Sequence, residues 1–245
     1  MLCFGIKMIT HQQRGLSIFF GNALNCTVSP KDTQFGFFCQ HLCKQFAVRS
    51  LVVLSQVHGV VGKFVREIND EIDLFKHEGD YLATNLRDIA LGILTADCLP
   101  IVLYDPINRA VAGVHAGWKG SVAGIAASAL ESLVQNVGSK PSNIQVFFGP
   151  AAKVCCYEVQ QDFCDLVKDN ALACAALIKR DGKTYFDKAL FNKSLLVSLG
   201  VNPENINEQY NQCTMCVDGF HSHRRLGTLS GRQLTCVWLR DFDLL

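Results

Sequence analysis

The chain has 245 residues, of which 49% are hydrophobic and 18% charged; it can bury a large core, and this composition excludes extensive disorder. A formal net charge of +1, with no basic run of five or more, excludes a dedicated nucleic-acid surface. No segment reaches the roughly 18 apolar residues of a membrane helix.

Twelve cysteines are many for a chain of this size. The opening residues Met1 to Thr10 lack a basic stretch, a long apolar stretch and a cleavage site. Cys39, Cys43, Cys164, Cys174 and Cys236 sit inside apolar stretches, where reduced thiols behave as small hydrophobes. The expectation is a reduced, cytoplasmic protein without a membrane or nucleic-acid partner.

In chain order, Asp32–Phe46 carries Phe35, Phe38, Cys39, Leu42 and Phe46 at helical spacing. Leu51–Val57 reads as a buried strand, and the polar stretch Arg66–Asp80 as a loop. Ala90–Leu94 and Leu99–Tyr104 are strands, and the turn Asp105-Pro-Ile-Asn predicts an antiparallel return along Ala110–Val114. Ser121–Val137 reads as one amphipathic helix closed by Gly138. Ile144–Phe148 is a strand stopped by Gly149-Pro150, Gln160–Ile178 and Asp187–Leu199 are helical, and Leu234–Leu239 is a last strand. With no repeat or linker, strands interspersed with helices predict one α/β (α+β) domain over residues 1–245 with mixed sheets.

Three polar side chains stand at the downstream ends of apolar strands: His58, Cys98 and His115, separated by 40 and then 17 residues. Gly59, Pro100 and the run Ala-Gly-Trp-Lys-Gly after His115 suit abrupt strand exits that aim side chains into a cleft. If the three strands are neighbours of the same polarity, two imidazoles and a thiolate meet at one sheet edge. Such a set holds Zn²⁺ with one open position, and Asp97 is placed to orient one imidazole. The same residues suit a second chemistry, with Cys98 as nucleophile and His115 as base.

A second group comprises Cys213, Cys216, His221 and His223, a candidate structural zinc set whose histidines are closer together than zinc fingers place them. The neighbouring Arg224 and Arg225 are candidates for phosphate or base contacts, and Cys155-Cys156 reads as two reduced thiols in a tight turn.

The runs Gly92-Ile-Leu-Thr-Ala-Asp-Cys-Leu-Pro, Val114-His-Ala-Gly-Trp-Lys-Gly, Gly149-Pro150 through Cys155-Cys156-Tyr-Glu, and Phe220-His-Ser-His-Arg-Arg resemble the laccase-domain family, once called polyphenol oxidases, over about residues 50–240. The resemblance implies a single domain of two packed mixed sheets flanked by helices, with His58, Cys98 and His115 as metal ligands. It implies phosphorolysis of adenosine, inosine, guanosine and methylthioadenosine, and deamination of adenosine. Zinc is the expected metal and copper the alternative; seven histidines are too few for a multicopper cluster. Lys119, Arg224 and Arg225 are the expected contacts to purine nucleoside or phosphate. The chain departs from the family's opening pattern: Gly15 to Asn25 lacks the expected arginine, and Leu226 stands where an Asp is expected. Two alternatives stay open, a metal-free cysteine hydrolase or deamidase using Cys98 and His115, and an inactive zinc-binding partner protein.

Overall fold

A computed structural model describes residues 9–13, 15–23, 34–68 and 72–240. Two six-stranded mixed sheets carry the fold. The first has β1 (Ile9–Gln13), β2 (Leu16–Phe20), β15 (Gln233–Leu239), β7 (Ile89–Thr95), β3 (Ser50–Ser55) and β5 (Ile72–Glu78), in that spatial order. The second runs β14 (Ile206–Asn207), β10 (Gln145–Phe148), β8 (Leu99–Asp105), β9 (Ala110–Ala116), β6 (Tyr81–Thr84) and β4 (Gly62–Val65). A small third sheet orders β11 (Glu158–Val159), β13 (Lys183–Phe186) and β12 (Leu177–Arg180).

The central strands are apolar on both faces because both faces are covered. Along β8, Val102 and Tyr104 point between the sheets and meet Leu91, Val111 and Val237. The alternate residues Ile101 and Leu103 face outward against helix α3 (Ile125–Val137), with Ile125, Ala129 and Leu133 at helical spacing. On the opposite flank, Cys39, Leu42 and Cys43 of α1 (Phe35–Phe46) cover Leu51, Val53 and Cys236. The result is a helix–sheet–sheet–helix stack, the predicted class.

Three local expectations differ from the structure. The single helix Ser121–Val137 is two, α2 (Trp118–Ala123) and α3, because Gly124 takes a left-handed φ of 94° between them. Gln160–Ile178 divides into α4 (Gln161–Val167) and α5 (Ala171–Ala175), the latter capped by the Asn170 side chain; Leu177 and Ile178 then enter β12, which pairs with β13. Within Arg66–Asp80, strand β5 pairs in parallel with β3, and Phe75 at φ 59° accompanies a register shift. It is an edge strand, where a polar sequence blunts further pairing. Asp32, the expected helix start, and Asn25, the end of the divergent opening segment, lie outside the described residues. The last long helix, α6 (Lys188–Ser198), stands close to its expected limits.

The chain passes from the first sheet to the second three times in succession, from β3 to β4, from β5 to β6 and from β7 to β8. β3, β5 and β7 are mutually parallel, so all three crossings leave from the same end of the sandwich.

Candidate metal centre and cleft

Each crossing delivers polar side chains to the same end of the sandwich. His58 lies between β3 and β4, Asp80 between β5 and β6, and Asp97-Cys98 between β7 and β8; His115 arrives from the end of β9. The three candidate donors therefore gather at the seam between two sheets, not at the edge of one, which corrects the sequence expectation: β3 and β7 are parallel neighbours, but β9 belongs to the other sheet. The loops are tightly built. His58 and Asp97 adopt φ of 61° and 83°, sparsely populated for non-glycine residues. The Gln56 side chain pairs with both backbone groups of Leu94, at 2.7 and 2.8 Å, tying the first crossing to β7.

Asp80 organises the centre. Fully buried, it accepts the Nδ1 proton of His115 at 2.7 Å and the backbone N–H groups of His58 and Gly59 at 2.9 and 2.6 Å. Burial pushes its carboxyl up, but the hydrogen bonds from His115, Gly59 and His58 outweigh that and hold it below its ordinary value. With Nδ1 committed to Asp80, His115 presents Nε2 to the site. Asp97, the orienting carboxylate expected from the sequence, instead accepts from the Thr214 hydroxyl at 2.6 Å and the Arg224 amide at 2.7 Å. These hydrogen bonds join the loop after β7 to residues far along the chain.

The donor atoms of His58, Cys98 and His115 all lie within 4.8 Å of one another. Cys98 Sγ is 3.9 Å from His58 Nε2, and the two imidazole rings stand 4.7 Å apart at 74°. A tetrahedral zinc with Zn–N near 2.0 Å and Zn–S near 2.3 Å separates such donors by roughly 3.5 Å. The set fits a borderline-soft cation held by three side chains with a fourth position toward solvent, since His115 is buried, Cys98 half-buried and His58 exposed. Gly117 is needed here: a Cβ on it would stand 2.8 Å from the His58 ring and 3.2 Å from Cys98 Sγ. In the metal-free chain burial disfavours both charges, but Cys98 and His115 charge each other. The thiol falls to about 5 and the imidazole rises to about 9, so they form a thiolate–imidazolium pair.

A cleft of about 350 Å³ opens over His58 and Cys98, lined also by Trp118, Lys119, Tyr157, Lys188, His223 and Arg224. This is within the range of small-molecule sites, roughly 300–1,000 Å³. Lys188 and Arg224 both lie over the Tyr157 ring, at 3.9 and 4.6 Å. Lys188 is buried and donates to the Asp97 carbonyl at 2.6 Å; burial lowers its pKa, partly offset by the nearby Cys98 and Asp97 charges. Burial also pushes the Tyr157 hydroxyl up to about 12, so it stays protonated.

Of the candidate contacts, Lys119 and Arg224 line the cleft and Arg225 does not. The Arg225 guanidinium turns back to the Phe220 carbonyl at 2.6 Å and stands 3.8 Å from Asp218. The candidate zinc set of Cys213, Cys216, His221 and His223 is not assembled. His221 is buried where Gln233 brackets its backbone, and His223 lines the cleft; the two cysteines instead meet Cys155 and Cys156.

Sequence reasoning missed Asp80 and Lys188. The signal for the first was a Gly-Asp pair at 79–80, immediately before a strand. For the second it was a lysine at the first position of a helix, where the macrodipole favours acids.

Residues 7–240 match the family described as multi-copper polyphenol oxidoreductase laccase. The chain is 35% identical over 181 residues to a purine nucleoside phosphorylase of Borreliella burgdorferi, covering 73% of this chain and 75% of that protein. It is 34% identical over 197 residues to the adenosine deaminase RL5 of an unknown prokaryotic organism, covering 77% and 74%. The crystal structure of the Bacillus licheniformis hypothetical protein YfiH superposes with a TM-score of 0.80 at 25% identity, over 92% of this chain and 93% of that one. With the motifs at residues 92–100 and 114–120 built into one centre, and a match spanning almost the whole sequence, the chain belongs to the multi-copper polyphenol oxidoreductase laccase family.

Proposed function

We propose that the chain is a zinc-dependent purine nucleoside phosphorylase acting on adenosine, inosine, guanosine and methylthioadenosine, with an adenosine deaminase activity in the same cleft. The observation that carries this reading is the gathering of His58, Cys98 and His115 at a cleft that His58 and Cys98 line and whose walls combine cations with aromatic rings. The names of the relatives support the substrate class. His58, Cys98 and His115 would hold the zinc, which when bound supplies Lewis acidity and lowers the pKa of a water.

The chain's own groups account for binding and orientation. Arg224 and Lys119 offer N–H donors to phosphate oxygens, the arginine as a planar fork. The Trp118 ring gives the purine an apolar face, and the Tyr157 hydroxyl, neutral at physiological pH, donates a hydrogen bond. In phosphorolysis a phosphate oxygen bonds to the ribose anomeric carbon as its bond to the purine nitrogen breaks, and the base leaves with that electron pair and a proton. In deamination water adds at the purine carbon bearing the amino group and ammonia leaves.

The test is chromatography of zinc-loaded protein incubated with adenosine, with and without phosphate. Adenine with ribose 1-phosphate is expected only when phosphate is present, and inosine in both cases. Absence of every product from zinc-loaded protein would overturn the reading in favour of a zinc-binding partner protein. The thiolate–imidazolium pair favours one second reading, a cysteine hydrolase or deamidase using Cys98 and His115. It predicts turnover that survives chelation and ends on alkylation of Cys98.

A further inference from the structure

Behind the cleft wall four cysteines converge from two short segments. Cys155 and Cys156 occupy the turn before Tyr157, and Cys213 and Cys216 flank a turn that begins where Cys213 bridges to Ala151. Cys216 Sγ lies 3.3 Å from Cys155 Sγ and 2.9 Å from Cys156 Sγ, and all four sulfurs fall within 4.8 Å of one another. A zinc ion with Zn–S bonds of about 2.3 Å sets tetrahedral sulfurs about 3.8 Å apart. Small side-chain rotations bring this group to that spacing.

Three features select a cation over a disulfide. A disulfide joins two sulfurs and strands the other two, and Cys216 is within reach of two partners at once. A tetrahedral ion satisfies all four together. The backbone N–H groups of Lys153, Met215 and Cys216 also point at Cys213 Sγ, a cradle built for negative sulfur. An all-sulfur set with no carboxylate or imidazole rejects magnesium and calcium, suits zinc, and leaves no position for water or substrate.

We propose that Cys155, Cys156, Cys213 and Cys216 form a second, structural zinc site, separate from the centre at His58, Cys98 and His115. Its place in the fold gives it a purpose. Tyr157, a wall of the cleft, directly follows Cys156. Thr214 lies inside the other turn, where its hydroxyl holds Asp97 at 2.6 Å and its amide bonds the Ala151 carbonyl at 3.0 Å. An ion at the four sulfurs clamps the Tyr157 turn to the segment that supports the residue beside Cys98.

The full chain, purified under reducing conditions without chelator, tests this by elemental analysis. A variant carrying His58→Ala, Cys98→Ala and His115→Ala is expected to retain about one zinc per chain, and adding Cys213→Ser with Cys216→Ser to reduce that to near zero. Wild-type protein reconstituted with Co²⁺ provides a measurement that survives any misfolding of the variants. Its near-ultraviolet thiolate-to-cobalt absorption is expected to carry the intensity of the four sulfurs in addition to that of Cys98. A metal-free triple variant, a cobalt spectrum accounted for by one thiolate, or a mapped disulfide between Cys216 and either Cys155 or Cys156 in the reduced preparation would each overturn the proposal. Because zinc is counted with the first centre removed, the outcome is independent of whether the cleft turns over nucleosides.

Discussion

His58, Cys98 and His115 reach their meeting point from three separate segments and include two kinds of donor, whereas Cys155, Cys156, Cys213 and Cys216 arrive as two pairs and offer sulfur alone. The first group is backed by a buried carboxylate and faces a cleft. The second is backed by amides and faces a turn. Three mixed donors leave a coordination position free and four thiolates fill the shell, so with zinc at both, one chain would separate an ion able to meet substrate from one able only to hold loops together. Both groups depend on cysteine, yet their neighbours set opposite demands. Cys98 is charged by an adjacent imidazolium, while the Cys155 thiol is pushed up to about 11 by burial and its hydrogen bond to Cys216.

Removing one donor breaks the comparison most severely. Cys98→Ala is expected to abolish turnover by about 10³-fold or more, the scale of the ~4 kcal/mol a metal contributes to such chemistry, while the zinc at the four cysteines remains. Elemental analysis alongside product chromatography checks both halves, and full activity would remove Cys98 from the mechanism. Asp80→Ala leaves every donor in place but frees the His115 ring, so zinc affinity at that centre is expected to fall about 10–100-fold; competition with a chromogenic chelator reads it directly.

The two kinds of cysteine also separate by pH in chelator-treated protein. The Cys98 thiol is lowered from 9.0 to about 5, so its thiolate persists until pH falls through that lower value. Its iodoacetamide labelling should stay level from roughly pH 8 to roughly pH 6 and decline below about 5, whereas Cys155 gains reactivity only in alkaline solution. A thiolate of low pKa is intrinsically less nucleophilic, so the net advantage of Cys98 over an ordinary thiol at roughly pH 6 is about tenfold. Labelling of Cys98 that instead rises steadily towards pH 9 would show that the imidazolium does not charge it.

The smallest contrast lies between neighbouring arginines. Arg224→Ala is expected to raise the KM for phosphate about tenfold, the loss of one charge-assisted contact. Arg225→Ala, which loses a bond to the Phe220 carbonyl outside the cleft, should change it by less than about twofold. Steady-state kinetics with varied phosphate distinguishes them.

The sequence exposes the parts of the molecule that are governed by local pattern. The buried strands β7, β8 and β9 are continuous apolar runs, and the three donors follow strands or end them, so the fold class and the candidate metal ligands were legible. β5 was not, because an edge strand needs no apolar face and its residues Asp73, Lys76, His77 and Glu78 look like loop. Nor was the partnership of Asp80 with His115, 35 residues away, or that of Cys156 with Cys216, 60 residues away. Both follow from how strands are ordered between two sheets, which no periodicity encodes. Arg224 and Arg225, adjacent in sequence, are turned to different duties by the single helical turn His223–Leu226 that carries both.

The three successive crossings have a consequence for how the protein responds to metal supply. His58 hangs from the first sheet and His115 from the second, with Cys98 at the passage between them. An ion bound to all three acts as a rivet through the sandwich, and sliding of one sheet over the other must break it. Ligation and cohesion of the layers are thereby thermodynamically linked: at a free metal concentration about 1,000 times the dissociation constant, about 4 kcal/mol is added against unfolding. The melting temperature of such a protein becomes a gauge of the metal available around it.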